Sequence, residues 1–150
     1  MAKASTGLRN IMLGTSDFNT AMTLGFIYLY SGTVPNSPDD ATTGTVLCKI
    51  SNNSGATGLT FAPPVAGTIE KTSAEIWTGT VINGGGTATF YRFISADATD
   101  NTGEGKAAST TFPRMQGTIG TSGADMNLTS TVLTNGATQT INFFSHSFLE

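Results

Sequence analysis

From Phe26 onward, turn-forming residues interrupt this 150-residue chain every 8–15 positions. Gly32 to Pro38 supplies turn chemistry, and Asn-Asn-Ser-Gly fills 52–55. Pro63-Pro64 stops a third segment, Asn-Gly-Gly-Gly occupies 83–86, and Asn135-Gly136 closes the series. Segments this short, rich in branched and aromatic residues, read as strands. The expected strands are 26–31, 45–51, 58–62, 67–72, 74–82, 87–95, 113–119, 124–133 and 137–148, with a polar loop at 97–109. Asn83-Gly84 is the strongest hairpin signal, because residues there readily take φ > 0. Asn135-Gly136 is a second, expected to join the last two strands. About nine short strands with such spacing specify an all-β fold. The expectation is an antiparallel β-sandwich, jelly-roll-like, with a small barrel as the other geometry the pattern allows.

Composition supports this. Thr occurs 27 times and Gly 18 times in 150 residues. Thr alternates with apolar residues along many segments, as on the wet face of an antiparallel sheet. Charged residues make only 11% of the chain, against about 25% in ordinary domains. A coiled coil needs far more Ala, Glu, Lys, Leu and Arg. The net charge of −3 and pI near 4.9 exclude a basic nucleic-acid binder. The most apolar run, residues 24–30, is too short to cross a bilayer, so no membrane is expected. Lys3 is followed by Ala-Ser-Thr-Gly rather than a secretory apolar run. The glycosylation patterns at Asn52 and Asn127 then read as chance.

Residues 1–25 differ from the rest. Leu8, Ile11 and Met12 recur at helical spacing, with Ser5 or Thr6 as cap and Gly14 as stop. Ser16 is placed to cap a second short turn carrying Phe18, Ala21 and Met22 on one face. Neither helix is long enough to stand alone in water. The expected division is an N-terminal arm of short helices at 1–25 and a β-sandwich domain at 26–150.

Catalytic chemistry finds little support. The single His146 lies in an alternating strand with no acidic neighbour, whereas a Ser-His-Asp site needs a carboxylate behind its histidine. One His and one Cys cannot build a structural zinc site, and the lone Cys48 reads as a small buried hydrophobe. The acids between Asp97 and Glu104 are spaced wrongly for an EF-hand. Gly84-Gly85-Gly86 lacks the Lys-Ser/Thr of a phosphate loop. Glu70, Glu75 and Trp77 lie close enough to suggest a glycan site only if Trp77 is exposed. The expectation is no enzyme, no metal and no cofactor.

Three runs are apolar on both faces: residues 26–30, residues 90–94, and the C-terminal run with Ile141, Phe143, Phe144, His146 and Phe148. A one-sided sheet strand has no need of that. Each is either central and buried twice, or meets another chain with one face.

Taken in order, several motifs resemble a family of small tailed-bacteriophage virion proteins. They are Ser5-Thr-Gly-Leu-Arg-Asn-Ile-Met-Leu13, Gly25-Phe-Ile-Tyr-Leu-Tyr-Ser-Gly-Thr-Val-Pro35 and Gly44-Thr-Val-Leu-Cys-Lys-Ile-Ser51, followed by Gly58-Leu-Thr-Phe61. Gly86-Thr-Ala-Thr-Phe-Tyr-Arg-Phe93, Pro113-Arg-Met-Gln-Gly-Thr-Ile-Gly120, Ala124-Asp-Met-Asn-Leu128 and Gly136-Ala-Thr-Gln-Thr-Ile141 continue it. Some members resemble the decoration, or cement, proteins on the outside of phage heads. The resemblance implies a jelly-roll-like homodimer or homotrimer, made in the host bacterial cytoplasm. It would sit on the outer capsid surface and bridge copies of the major capsid protein. Small β proteins of this kind also serve in tails and connectors, and a carbohydrate-binding adhesion module is a further alternative. Under the capsid reading, Leu8, Arg9, Ile11, Met12, Phe18, Phe143, Phe144 and Phe148 are the candidate capsid or oligomer contacts.

Overall fold

The computed structural model describes residues 1–147. Its centre is an antiparallel sheet built on β2 (Phe26–Ser31), β3 (Thr45–Asn52), β5 (Trp77–Thr80), β7 (Phe90–Ile94), β8 (Arg114–Gly120) and β11 (Thr138–Ile141). With β1 (Lys3–Ala4) at one end, the order is β1-β8-β7-β2-β3-β5-β11. A two-residue β9 (Met126–Asn127) pairs with β8 in parallel. Two small ribbons complete the strands. β6 (Gly85–Thr87) pairs with β10 (Val132–Thr134), and β4 (Thr68–Glu70) pairs with β12 (Ser145–Ser147). The fold is all-β and sandwich-like, as expected, with a short helical segment at its start.

Period-two alternation sorts the central strands into two buried faces. Ile27, Leu29, Tyr91, Phe93 and Met115 point to the main core. Phe26, Tyr28, Tyr30, Phe90 and Ile94 point the other way and form a second cluster with Val46. The runs 26–30 and 90–94 are therefore buried twice within one chain. The β2–β3 register shifts between Leu29 and Tyr30. This bulge lets adjacent Leu47 and Cys48 both enter the main core.

The main core holds a four-ring cluster of Phe61, Trp77, Phe93 and Phe144. All six of its ring pairs lie 5.5–6.2 Å apart, inside the range where aromatic pairs attract.

Helices α1 (Thr6–Gly14) and α2 (Phe18–Met22) close the core with Leu8, Phe18 and Met22. Ser5 caps α1 by accepting the Leu8 N–H, and its hydroxyl is tied to Phe112 O and Arg114 N. Asp17, not Ser16, caps α2. A Cβ on Gly7 would stand 2.3 Å from Thr111 O, so α1 packs against the 109–113 strap with no room for a side chain.

Local turn chemistry was legible, but the pairings it suggested differ. Asn83 and Gly84 do turn with positive φ. The strand that follows, β6, pairs with β10 and not with β5. Likewise Gly136 turns at φ 80, yet β10 and β11 pair with β6 and β5 rather than with each other. Both turns pass the chain between sheets. Residues 58–62 form isolated bridges, not a strand. The polar loop contains a short helix, α3 (Ala98–Thr102), capped by Asp97.

Candidate contact surfaces

The second face of the sheet is closed by two long loops, 32–44 and 95–113. Three buried polar side chains on β7 and β8 hold them. Arg92 donates to Gly105 O (2.5 Å), Asp40 O (2.7 Å) and Gln116 Oε1 (2.9 Å). Gln116 donates to Pro35 O (2.7 Å). Arg114 makes a two-point pair with Asp100, Nε to Oδ2 at 2.9 Å and Nη2 to Oδ1 at 2.5 Å, and also donates to Ala107 O. Tyr30 donates to Glu104 O, and Tyr28 to Asn101 Oδ1. Burial pushes both phenols well above their ordinary range, chiefly by desolvation. Among the described residues no buried side-chain nitrogen or oxygen is left unbonded. A buried polar network satisfied this fully rigidifies what it holds.

The candidate chemical groups are likewise engaged in structure. Asp97 caps α3, Asp100 holds Arg114, and Glu104 pairs with Lys106. Among the described residues no three His, Cys, Asp or Glu gather as a metal site. Trp77 is fully buried and donates its indole N–H to Glu75 (2.9 Å), which removes it as an exposed sugar platform. Cys48 is buried, and desolvation pushes its thiol up to about 12. No helix among the described residues is long and apolar enough to cross a membrane.

The candidate contact residues divide sharply. Leu8 is fully buried, and Phe18 and Phe144 are nearly so, because all three fill the main core. This corrects their assignment as contacts: their side chains pack inside their own chain, and Phe18 and Phe144 show only an edge at the surface. Ile11 and Met12 are half-buried and Arg9 is exposed. Phe143 is 71% exposed. Phe148 lies outside the described residues. Leu13, 87% exposed at the end of α1, is a surface group that helical spacing did not single out. Its signal was its place just before Gly14, past the face that Leu8 defines.

Depressions that share lining residues connect several of the candidates. A groove of about 510 Å³ beside α1 is lined by Arg9, Met12, Leu13 and Phe18. Met12 also lines a depression of about 350 Å³ with Met1, Ala2, Met115 and His146. Ala2, Met115 and His146 in turn line a cleft of about 680 Å³ that reaches Phe143. Residues 125–129 and 138–146 also line that cleft. Residues of the N-terminal helices and of the C-terminal strand thus line neighbouring depressions.

Compared with known proteins, the chain matches no family model, no curated protein and no solved structure.

Proposed function

We propose that this chain is a bacteriophage head decoration protein. It binds the outside of the assembled shell as a homo-oligomer and bridges neighbouring capsomers. The observation that carries the reading is this set of neighbouring depressions. Segments more than 100 residues apart in sequence line them, and Arg9, Met12, Leu13 and Phe143 remain at least partly exposed there. The ordered phage-like motifs support the same reading.

Cementing then works by mass action. A protein that binds the assembled shell but not its free subunits stabilises the assembly. Several contacts per oligomer add avidity. Only Arg9 carries charge among those four exposed residues, so attachment should vary little with salt. The test mixes the purified protein with shells that lack it and with free capsid protein. Co-sedimentation with shells alone, and a higher shell-disruption temperature, are expected. Binding to neither, or equal binding to free subunits, contradicts the proposal.

A further inference from the structure

Among the described residues, strand β11 ends the main sheet and is hydrogen-bonded to β5 on one side only. Antiparallel ladders alternate bonded and non-bonded pairs. Val81 N–H bonds Ala137 O, so in the register Thr138↔Thr80 and Thr140↔Thr78 residues 138 and 140 turn their N–H and C=O groups away from β5. On that outer side, Gln139 donates its own side-chain amide to Thr140 O (3.2 Å).

Open edges are normally guarded by Lys, Pro or a bulge, because they recruit other strands. β11 reads Thr-Gln-Thr-Ile and has neither charge nor Pro. The bare stretch is far longer than the strand. Between Asp125 and Glu150, all 24 residues from 126 to 149 lack Asp, Glu, Lys and Arg. Phe143, two positions past the strand and 71% exposed, lines the same cleft as β11.

We infer that β11 is a homotypic seam. A second copy lays its own β11 antiparallel to this one about a two-fold axis, and the main sheet runs through both protomers. The absence of charge selects this occupant. In a two-fold pair each residue meets its own kind near the axis, and like charges placed opposite repel. A stretch free of charge suits self-pairing, whereas a different partner strand imposes no such condition. Thr–Thr pairs across the seam are favourable in themselves. The inference deepens the homo-oligomer part of the proposed function and rests on it.

The test uses the full chain, with sedimentation for its oligomeric state and amide hydrogen exchange for its edge. The native protein is expected to be a dimer. Its Thr138 and Thr140 amides should exchange slowly, and faster as the dimer is diluted. Thr140→Lys should weaken the dimer at least tenfold with little change in melting temperature, while Thr140→Ser retains it. A monomeric or trimeric native protein overturns the seam, as does a Thr140→Lys variant that dimerises normally. Protection at Thr138 and Thr140 that appears only on adding shells also overturns it, and points to a capsid strand instead. If Thr140→Lys does not fold, the dilution dependence of native exchange decides alone. A dimer that ignores shells keeps the seam and sinks the decoration role, and a monomer that coats shells does the reverse.

Discussion

Phe18 and His146 stack with ring centroids 4.8 Å apart and planes 29° from parallel, which fastens the N-terminal helices to the last described strand. Burial holds the His146 imidazole below its ordinary pKa. The unfolded chain therefore takes up a proton near pH 6.5 that the folded chain resists. Stability rises with pH wherever the unfolded state binds more protons. This contribution is complete above pH 6.5 or so and is lost as pH falls toward the lower folded value. Asp125 acts further down. Burial alone would raise it, but the Met1 ammonium at 2.8 Å and the two Thr118 donors hold it below the ordinary carboxylate range. Its contribution is lost only below about pH 4. Urea midpoints should therefore drop between pH 7.5 and 5.5, and drop less in His146→Gln. Equal drops in both proteins contradict the assignment.

Adjacent phenylalanines have opposite fates. Phe144 sits within the four-ring cluster, while Phe143 faces solvent. Phe144→Ala should cost about 3–5 kcal/mol of folding stability. Phe143→Ala should stay within about 0.5 kcal/mol and instead weaken association or shell binding. Denaturant unfolding of both variants separates them, and equal losses would contradict the placement.

Asp100 and Arg114 form a pair that is 1% and 0% exposed. Removing one partner strands the other charge inside the protein. Asp100→Asn should cost about 3–5 kcal/mol by urea unfolding and free the 95–113 loop to exchange its amides. A loss below 1 kcal/mol, of the size of an exposed pair, would show that water reaches Arg114.

The N-terminal segment divides between core and surface. Leu8→Ala should cost about 2–5 kcal/mol, since Leu8 is fully buried. Deleting residues 1–13 should lower the melting temperature for the same reason and is no clean test of attachment. Leu13→Asp is one: folding should be unchanged while shell occupancy falls. Full occupancy in that variant removes the α1 groove from the contact surface.

The doubled apolar character of residues 26–30 and 90–94 was readable because strand alternation is local. What covers their second face was not. Arg92, Arg114 and Gln116 look like ordinary polar residues on a wet strand face until the loops they bind are in place, and the 32–44 loop lies 52 to 81 positions away in sequence. Asn83-Gly84 and Asn135-Gly136 announced turns for the same local reason. The partner of a strand leaving a turn depends on distant segments, so both hairpin expectations failed. Among the contact candidates, helical spacing identified an apolar face on each short helix but not its direction. Leu8 on the first and Phe18 on the second proved to be core. The charge-free run from 126 to 149 was present in the sequence throughout, and it acquires meaning only once β11 is seen at the end of the sheet.

The most direct test of the decoration role is the copy number of this protein in purified virions, from quantified gel bands against the major capsid protein. Hundreds of copies per particle are expected, in a simple ratio to the capsid protein. A few copies per particle would contradict it and assign the chain to a tail or connector.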